Sequence, residues 1–283
     1  MTTLTERAPA DAPPRTTTRR RSSTLRRIIY SGAVLGLLLA AWEYATRATD
    51  VSPLLLPPLA EVWTTMVDQW SILLPYAWLT LGEAVLGFGL AVGIGMPLGI
   101  LIVFSRPARD TVYPLLVASQ MVPKIALAPI LVVWFGLGLT SKVAIAFLIS
   151  FFAIVVSTAL GMEAVDRDMV RLFRSMRSGT VRTFVKLRLP MATPSIFAGF
   201  RLGMTHAVTG AIVGEFITAN SGLGYYILHQ YGQLQTAAVY AGVILIAIMG
   251  VGLYFALEVV ELIVSPYRRR RRGGRRALRA GSL

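Results

Sequence analysis

The sequence contains no cysteine, and this absence excludes disulfides, thiol catalysis and cysteine–zinc sites together. Charge is scarce as well, because Asp, Glu, Lys and Arg make up only 15% of the 283 residues. No glycine is followed by lysine, so the chain lacks the Gly-x-x-x-x-Gly-Lys-Ser/Thr loop with which many ATPases bind phosphate. Any ATP-driven process that involves this chain therefore needs its ATPase on another polypeptide.

What the sequence does contain is long apolar blocks. Hydrophobic residues make up 55% of the chain and recur in blocks of about 20, the length that crosses a hydrocarbon layer roughly 30 Å thick. Continuous helices satisfy their backbone groups within the segment, and no block alternates with the period of two that a barrel strand needs. We predict an all-α polytopic membrane protein with six transmembrane helices, near Ile28–Thr46, Ala77–Phe104, Val112–Phe135, Val143–Gly161, Ala192–Thr218 and Val239–Val264.

Basic residues are distributed unevenly among the connections between these blocks. Seven arginines precede the first block, seven basic residues lie between Arg167 and Arg188, and eight follow Pro266. The alternate connections carry one basic residue or none. Because short loops rich in Lys and Arg stay cytoplasmic, we predict a multi-pass protein of the cell (plasma or inner) membrane with both termini in the cytoplasm.

The two ends of the chain differ in composition from the apolar middle. Residues 1–25 are poor in apolar side chains and are predicted to be a disordered basic cytoplasmic tail. Residues 26–267 form the predicted transmembrane domain, and 268–283 an Arg-rich cytoplasmic tail. The net charge of +14 allows nucleic acid as a partner, but a basic run directly after a span more simply fixes topology and contacts anionic lipid. We expect membrane lipid, and not nucleic acid, as the partner of these tails.

A basic connection from 163 to 190 separates the fourth and fifth predicted spans. Its apolar residues Met169, Leu172, Phe173 and Met176 have helical spacing and predict one apolar stripe flanked by arginines. Ser178-Gly179 then predicts a helix end, Thr180 the cap of a second short helix, and Pro190 the end of the loop. Such a stripe suits either a groove of another protein or the membrane surface, and these residues alone favour neither.

Ionisable residues inside the predicted spans are candidates for a translocation path. We single out Lys124, Arg201, His206 and Glu215, for which lining of a polar path and structural pairing are both open, with the structural role favoured for His206. Arg201 and Glu215 share one helix about four turns apart, so they are not expected to pair with each other. Prolines, Pro97 and Pro194 among them, predict breaks, and the segment Met121–Ile130 should not be a regular helix throughout.

Several short motifs occur in an order and spacing that together are specific. They are Leu56-Pro57-Pro58, Val122-Pro123-Lys124-Ile125-Ala126-Leu127-Ala128-Pro129, Trp134-Phe135-Gly136-Leu137-Gly138 with Ser141-Lys142, Leu187-Arg188-Leu189-Pro190, Gly199-Phe200-Arg201, Gly214-Glu215 and Gly222-Leu223-Gly224-Tyr225. On these motifs the chain, from about Leu54 to Ser265, resembles the permease subunit of an ATP-binding-cassette (ABC) importer. The resemblance is to the nitrate, taurine and alkanesulfonate group of the binding-protein-dependent family.

This resemblance implies a fold, partners and site residues. The fold is that of a type I ABC importer permease, a homodimer of six-span subunits with a cytoplasmic ABC ATPase dimer and an extracytoplasmic solute-binding protein. The permease itself is not an enzyme and binds no cofactor, since ATP is used by the partner subunit. The implied ATPase-coupling loop contains Met169, Leu172, Phe173, Met176, Gly179, Leu187, Leu189 and Pro190, and the implied outer gate contains Gly222, Gly224 and Tyr225.

The coupling loop departs from the family pattern in one respect. The family has a Glu-Ala-Ala triplet, a glycine after three residues, and an apolar-x-Leu-Pro ending after nine more. Counting back from Pro190 places the triplet at 171–173 and the glycine at Arg177, so only the ending is kept, with a glycine two places late at Gly179. This departure predicts a change in how the loop helix ends.

The function predicted from the sequence is import of a small solute of the taurine, sulfonate, nitrate or vitamin-precursor type. An ATP-independent secondary transporter or channel is the alternative, but it predicts internal repeats and buried charges for a proton relay, which are not evident in the sequence. A scaffold that uses the basic loop for assembly is a third hypothesis. Either of these is favoured if no ATPase binds.

Overall fold

The structure is a computed structural model, and it describes residues 22–48 and 52–264. Within these ranges nearly all residues are helical and none lies in a β-strand, in agreement with the predicted all-α class. The predicted tail 268–283 and most of the predicted tail 1–25 lie outside the described residues.

The first of two compact units contains one described helix, α1 (Ser22–Ala48). This helix includes the whole of the first predicted span, Ile28–Thr46. Its residues Leu35, Leu37, Leu38 and Leu39 are exposed, and Glu43 accepts a hydrogen bond from Nε of Arg47, one turn later, at 2.7 Å.

The second unit contains all other described helices. In chain order they are α2 (Leu59–Asp68), α3 (Trp70–Phe104), α4 (Arg106–Ser119), a 3₁₀ turn (Lys124–Leu127), α5 (Ala128–Phe135), α6 (Leu139–Glu163), α7 (Arg167–Ser175), α8 (Thr180–Thr183), a π-helical segment (Phe184–Arg188), α9 (Leu189–Thr218), α10 (Leu223–Gly232) and α11 (Thr236–Val264).

Four helices of the described residues are long and apolar enough to cross a membrane. They are α3, α6, α11 and the continuous helix Thr180–Thr218, and they contain the second, fourth, fifth and sixth predicted spans. The helices begin earlier than predicted, α3 at Trp70 and α6 at Leu139, which moves Glu83 and Lys142 from predicted ends or loops into helices. The count rises to five if a bent helix pair is one span, and the total of six stays a prediction.

The third predicted span, Val112–Phe135, contains a sharp bend. After α4 ends at Ser119, the chain turns by 87° into the segment Lys124–Phe135. Pro123 cannot donate a backbone hydrogen bond at this point, so the predicted irregularity at Met121–Ile130 is confirmed. Pro97 and Pro194 instead lie inside continuous helices, and the breaks expected there are wrong. Membrane helices tolerate proline because neighbouring groups satisfy the freed carbonyls.

The core of the second unit is α6, which packs between α3 and α9. Glycines allow this close approach: a Cβ on Gly99 of α3 would lie 2.8 Å from the Thr158 Cβ of α6, and one on Gly210 of α9 would lie 2.6 Å from the Ala146 Cα. Small residues at helix crossings are typical of packing in membranes, where dispersion contacts replace the hydrophobic effect. Gly89 and Gly93 lie four residues apart in the same helix α3, but a Cβ on either would meet no described atom from outside this helix within 4 Å.

A second cluster holds α2 and α10 against α11. Val62 and Met66 of α2 pack with Tyr226 of α10 and Leu245 of α11, while Trp63 of α2 points outward and is 62% exposed. This cluster fixes α10, which directly follows the segment 219–222 that connects it to α9.

Candidate functional site

The apolar side chains of α7 divide between two faces. Val170 is buried and packs with Val165 and Leu187, and Phe173 packs against this group. Met169, Leu172 and Met176 are 40%, 55% and 70% exposed, and we call these three residues the docking face. Phe173, the fourth member of the predicted stripe, is partly buried and anchors α7 to its own chain, and its role in ATPase coupling stays a prediction.

The C-terminal end of α7 forms a tight turn at Arg177, the position where the family motif has glycine. Backbone N–H of Ser178 donates to the Phe173 carbonyl at 3.1 Å, and that of Arg177 donates to the Arg174 carbonyl at 3.0 Å. This pair of bonds is a Schellman turn, which places Arg177 at φ 54° in the left-handed region that favours glycine. Gly179 has an ordinary φ of −65°. The turn thus stays where the family has glycine, with an arginine in its place.

The second half of the predicted coupling loop has a structure that differs from the prediction. Thr180 is the first residue of α8, with Gly179 before it, and its side chain does not make a described capping bond. The helix then continues through the π-helical segment into α9, where Pro190 lies in the first turn, so the predicted loop end at Pro190 is wrong. The wider π hydrogen bond from Leu189 N to the Phe184 carbonyl directly precedes Pro190, whose own nitrogen has no hydrogen to donate.

A buried ion pair joins α3 to α6. Lys142 Nζ lies 2.9 Å from Glu83 Oε1, with the two side chains 2% and 3% exposed. The same ammonium donates to the carbonyl and to the hydroxyl of Ser221, both at 3.0 Å. A buried charge without a partner would be strongly unfavourable, so Lys142 and Glu83 stabilise each other. Through its bonds to Ser221, Lys142 also connects α3 and α6 to the segment 219–222.

Glu215 of α9 extends this cluster. Its two carboxylate oxygens accept hydrogen bonds from the Thr80 hydroxyl at 2.6 Å and from the Gly224 backbone N–H at 2.6 Å. Thr80 Oγ1 in turn accepts from the Leu223 N–H at 2.9 Å. Glu83 and Glu215 also interact with each other. We call Thr80, Glu83, Lys142, Glu215 and Ser221 the polar cluster. It offers hydrogen bonds and charge that hold a loop in place.

The predicted outer-gate residues lie directly on the polar cluster. Gly222 has φ +102°, and a Cβ there would overlap the Glu215 carboxylate. A Cβ on Gly224 would lie 2.9 Å from Glu215 Oε2. The Tyr225 ring packs edge-on against Tyr76 of α3, with centroids 6.0 Å apart. The two glycines are thus required by the close approach of Glu215, and their role in gating stays a prediction.

The four residues predicted to line a translocation path lie in three places. Glu215 belongs to the polar cluster, and Arg201 forms an ion pair with the fully buried Glu261 of α11 at 2.5 Å. Lys124 Nζ stands 4.9 Å from the Phe152 ring centroid and interacts electrostatically with the partly buried His206. Arg201 and Glu215 do not pair with each other, as predicted. Of these four residues, the structure brings only Lys124 and His206 together.

Sequence reasoning misses four residues of the polar cluster and one partner outside it. Thr80, Lys142 and Ser221 are not among the predicted site residues, and neither is Glu83. Glu261, the partner of Arg201, is also missed. A charge-pairing argument offers the missing signal, because a lone Glu and a lone Lys in separate apolar blocks need opposite charges as partners.

Comparison with known proteins places these features in a family. Residues 91–270 match the family model for the binding-protein-dependent transport system inner membrane component. The formylaminopyrimidine transport permease protein ThiX of Halalkalibacterium halodurans is 35% identical over 234 residues, covering 83% of this chain and 94% of the relative. The taurine transport system permease protein TauC of Escherichia coli is 28% identical over 249 residues, with 86% and 90% covered.

A solved structure has the same fold. A chain of the MetNI methionine ABC transporter in an inward-facing conformation superimposes with a TM-score of 0.61. The match covers 70% of this chain and 98% of that chain at 20% sequence identity, so the likeness concerns the fold alone.

Proposed function

Because the chain belongs to the family of binding-protein-dependent transport system inner membrane components, we propose that it passes a small solute from an extracytoplasmic binding protein into the cytoplasm. It is a multi-pass ABC transporter permease of the inner membrane, and such permeases are not catalytic themselves. In this proposal a separate ATPase dimer supplies the energy, two copies of this chain form the pathway, and the chain itself binds no cofactor.

The observation that carries the proposal is the docking face. Met169, Leu172 and Met176 project from α7, while Val170 and Phe173 fix the opposite side of this helix to the bundle. Exposed apolar side chains on an anchored helix suit insertion into a groove of an ATPase subunit. Closure of the ATPase pair would then move α7 and bias the bundle between inward-facing and outward-facing states.

The polar cluster supports a role for the segment 219–222 as part of an outer gate. Three helices contribute to the cluster, and Lys142 and Glu215 bind the segment or the residues directly after it. A relative displacement of α3, α6 and α9 would therefore change the position of Gly222 and Gly224. In this account the cluster transmits movement of the bundle to the outer face.

The solute class follows from the relatives and is the least specific element of the proposal. ThiX and TauC are named for transport of a formylaminopyrimidine and of taurine. These names support a small polar solute of the taurine, sulfonate, nitrate or vitamin-precursor type for this chain. Lys124 is a basic side chain near which an anionic solute would pass favourably.

The test is purification of the tagged chain from its own membranes in mild detergent, followed by identification of the proteins that co-purify. We expect an ABC ATPase, and, after reconstitution into liposomes with the partner binding protein, uptake of labelled solute that requires ATP. A panel of taurine, an alkanesulfonate, nitrate and a formylaminopyrimidine would identify the class. A chain that purifies alone and supports flux without ATP would refute the proposal in favour of a secondary transporter or channel.

A further inference from the structure

Two adjoining cavities flank α7, and their walls are unusually rich in arginine. They have volumes of about 270 Å³ and about 280 Å³, close to the lower end of the roughly 300–1,000 Å³ range of small-ligand pockets. The arginines that line the first cavity are Arg109, Arg167, Arg171, Arg174 and Arg188. Arg174 and Arg188 line the second cavity as well. Glu163 is the acidic residue among those that line the first cavity.

The available acidic side chains leave the two shared arginines unneutralised. Glu163 forms an ion pair with Arg109, and Asp168 pairs with Arg171 at 3.2 Å. Within residues 22–48 and 52–264, neither Arg174 nor Arg188 forms an ion pair, and the two guanidinium groups repel each other. A ligand with negative charge between them would replace this repulsion with two attractive interactions.

Arg188 is held next to an aromatic ring. Its guanidinium Cζ lies 5.0 Å from the centroid of the Phe104 ring, a cation–π contact. The guanidinium carries five N–H donors, which an anion in the cavity can use. Phe104 and Phe184 also line the second cavity, so apolar surface adjoins the basic groups at the end of the long helix α3.

We propose that these two cavities form a binding site for a phosphate group, to which Arg174 and Arg188 donate hydrogen bonds. Arginine binds phosphate in a bidentate manner that a point charge cannot reproduce. The phosphate belongs either to the headgroup of an anionic phospholipid, with its acyl chains against the phenylalanines, or to free inorganic phosphate. The proposed phosphate site does not depend on which solute the chain carries. It lies on the side of α7 that contains Val170, away from the docking face.

The test compares the full chain with the double variant Arg174→Gln/Arg188→Gln. The matched control is Arg182→Gln, which removes an exposed arginine of α8 that lines neither cavity. In one arm, each protein is purified from vesicles of equal phosphatidylglycerol and phosphatidylcholine, and the retained lipid is measured by native mass spectrometry. In the other arm, inorganic phosphate is titrated in detergent while the unfolding temperature is recorded, since a ligand of the folded state raises it.

We expect the wild type and the control to retain phosphatidylglycerol, or to respond to phosphate, with an affinity about tenfold or more above that of the double variant. The arm that shows this difference identifies the source of the phosphate group. Equal behaviour of all three proteins in both arms would overturn the proposal, as would a double variant whose defect is confined to ATPase association. If the glutamine variant does not fold, Arg174→Lys/Arg188→Lys replaces it. This lysine variant keeps both charges and should still bind phosphate more weakly than the wild type. Phosphate binding by the lysine variant at wild-type affinity would contradict the bidentate site.

Discussion

Replacing Lys142 with methionine should destabilise the folded chain far more than the same change at another lysine. Methionine keeps most of the side-chain volume but removes the ammonium that contacts Glu83 and Ser221. Glu83 would then be left with its charge buried at 3% exposure and near the carboxyl group of Glu215. The damage comes from this uncompensated charge more than from the lost hydrogen bonds.

The magnitude separates these two causes. Hydrogen bonds between membrane helices contribute about 0.6 kcal/mol each on average. Removing one partner of a buried ion pair costs about 3–5 kcal/mol. For a chain of this size the second value corresponds to a fall in unfolding temperature of roughly 6–20 °C. The double variant Lys142→Met/Glu83→Gln, which removes both charges, should recover part of this loss.

The assay is thermal unfolding of the detergent-purified protein, followed by size-exclusion chromatography of the heated samples. The control is Lys124→Met, because Lys124 is only partly buried and stands over the Phe152 ring without an ion pair in the described residues. The reasoning is refuted if Lys142→Met unfolds within about 2 °C of the wild type, or if the double variant loses the sum of the two single losses.

Three further predictions concern single positions. Arg177→Gly should stabilise the chain by about 0.5–1 kcal/mol. A non-glycine residue in the left-handed region costs about 1–2 kcal/mol, and part of this gain is offset because glycine raises the conformational entropy of the unfolded chain. Arg177→Ala should not raise the unfolding temperature, because alanine has the same steric cost in this region. Gly222→Ala should lower the unfolding temperature and uptake together, because its Cβ would overlap a buried carboxylate, while Gly232→Ala, with open space around it, should do neither. Burial raises the pKa of Tyr226 to about 12, above its usual value of 10, so the stability it contributes is present below pH 10 and is lost as the pH rises through 12. Tyr226→Phe, which loses the 2.6 Å hydrogen bond to Gln69, should cost about 1 kcal/mol at neutral pH and flatten the decline in stability between pH 10 and 12.

The features that sequence predicts well here depend on local composition. Blocks of apolar residues locate the long helices, and Pro123 explains the break between α4 and α5, because both effects act within a few residues. The predicted start of α6 is too late, since Lys142 next to an apolar block looks like part of a loop. Lys142 shows why this reasoning fails: its partner Glu83 is 59 residues away, and only the packing of α3 on α6 makes its burial favourable.

The candidate sites divide in the same way. Helical spacing identifies the apolar residues of α7, but it does not tell which of them face the bundle, and the packing of Phe173 on the bundle side is visible only in the structure. The glycine expected at Arg177 is absent from the sequence, yet the turn is present, because two backbone hydrogen bonds hold the left-handed conformation. Resemblance identifies Gly222 and Gly224, while the physical reason for them, the carboxylate of Glu215, is visible only in the structure.

The central claim is that an ATPase binds the docking face of α7, and co-purification with designed variants tests it most directly. The double variant Leu172→Asp/Met176→Asp places two negative charges on the docking face without touching the anchoring side, and Val181→Asp introduces one negative charge at an exposed position of α8. We predict that the ATPase co-purifies with the wild type and with Val181→Asp and is lost from the double variant, while all three proteins elute as folded species. An ATPase that stays bound to the double variant in wild-type amount would contradict the account.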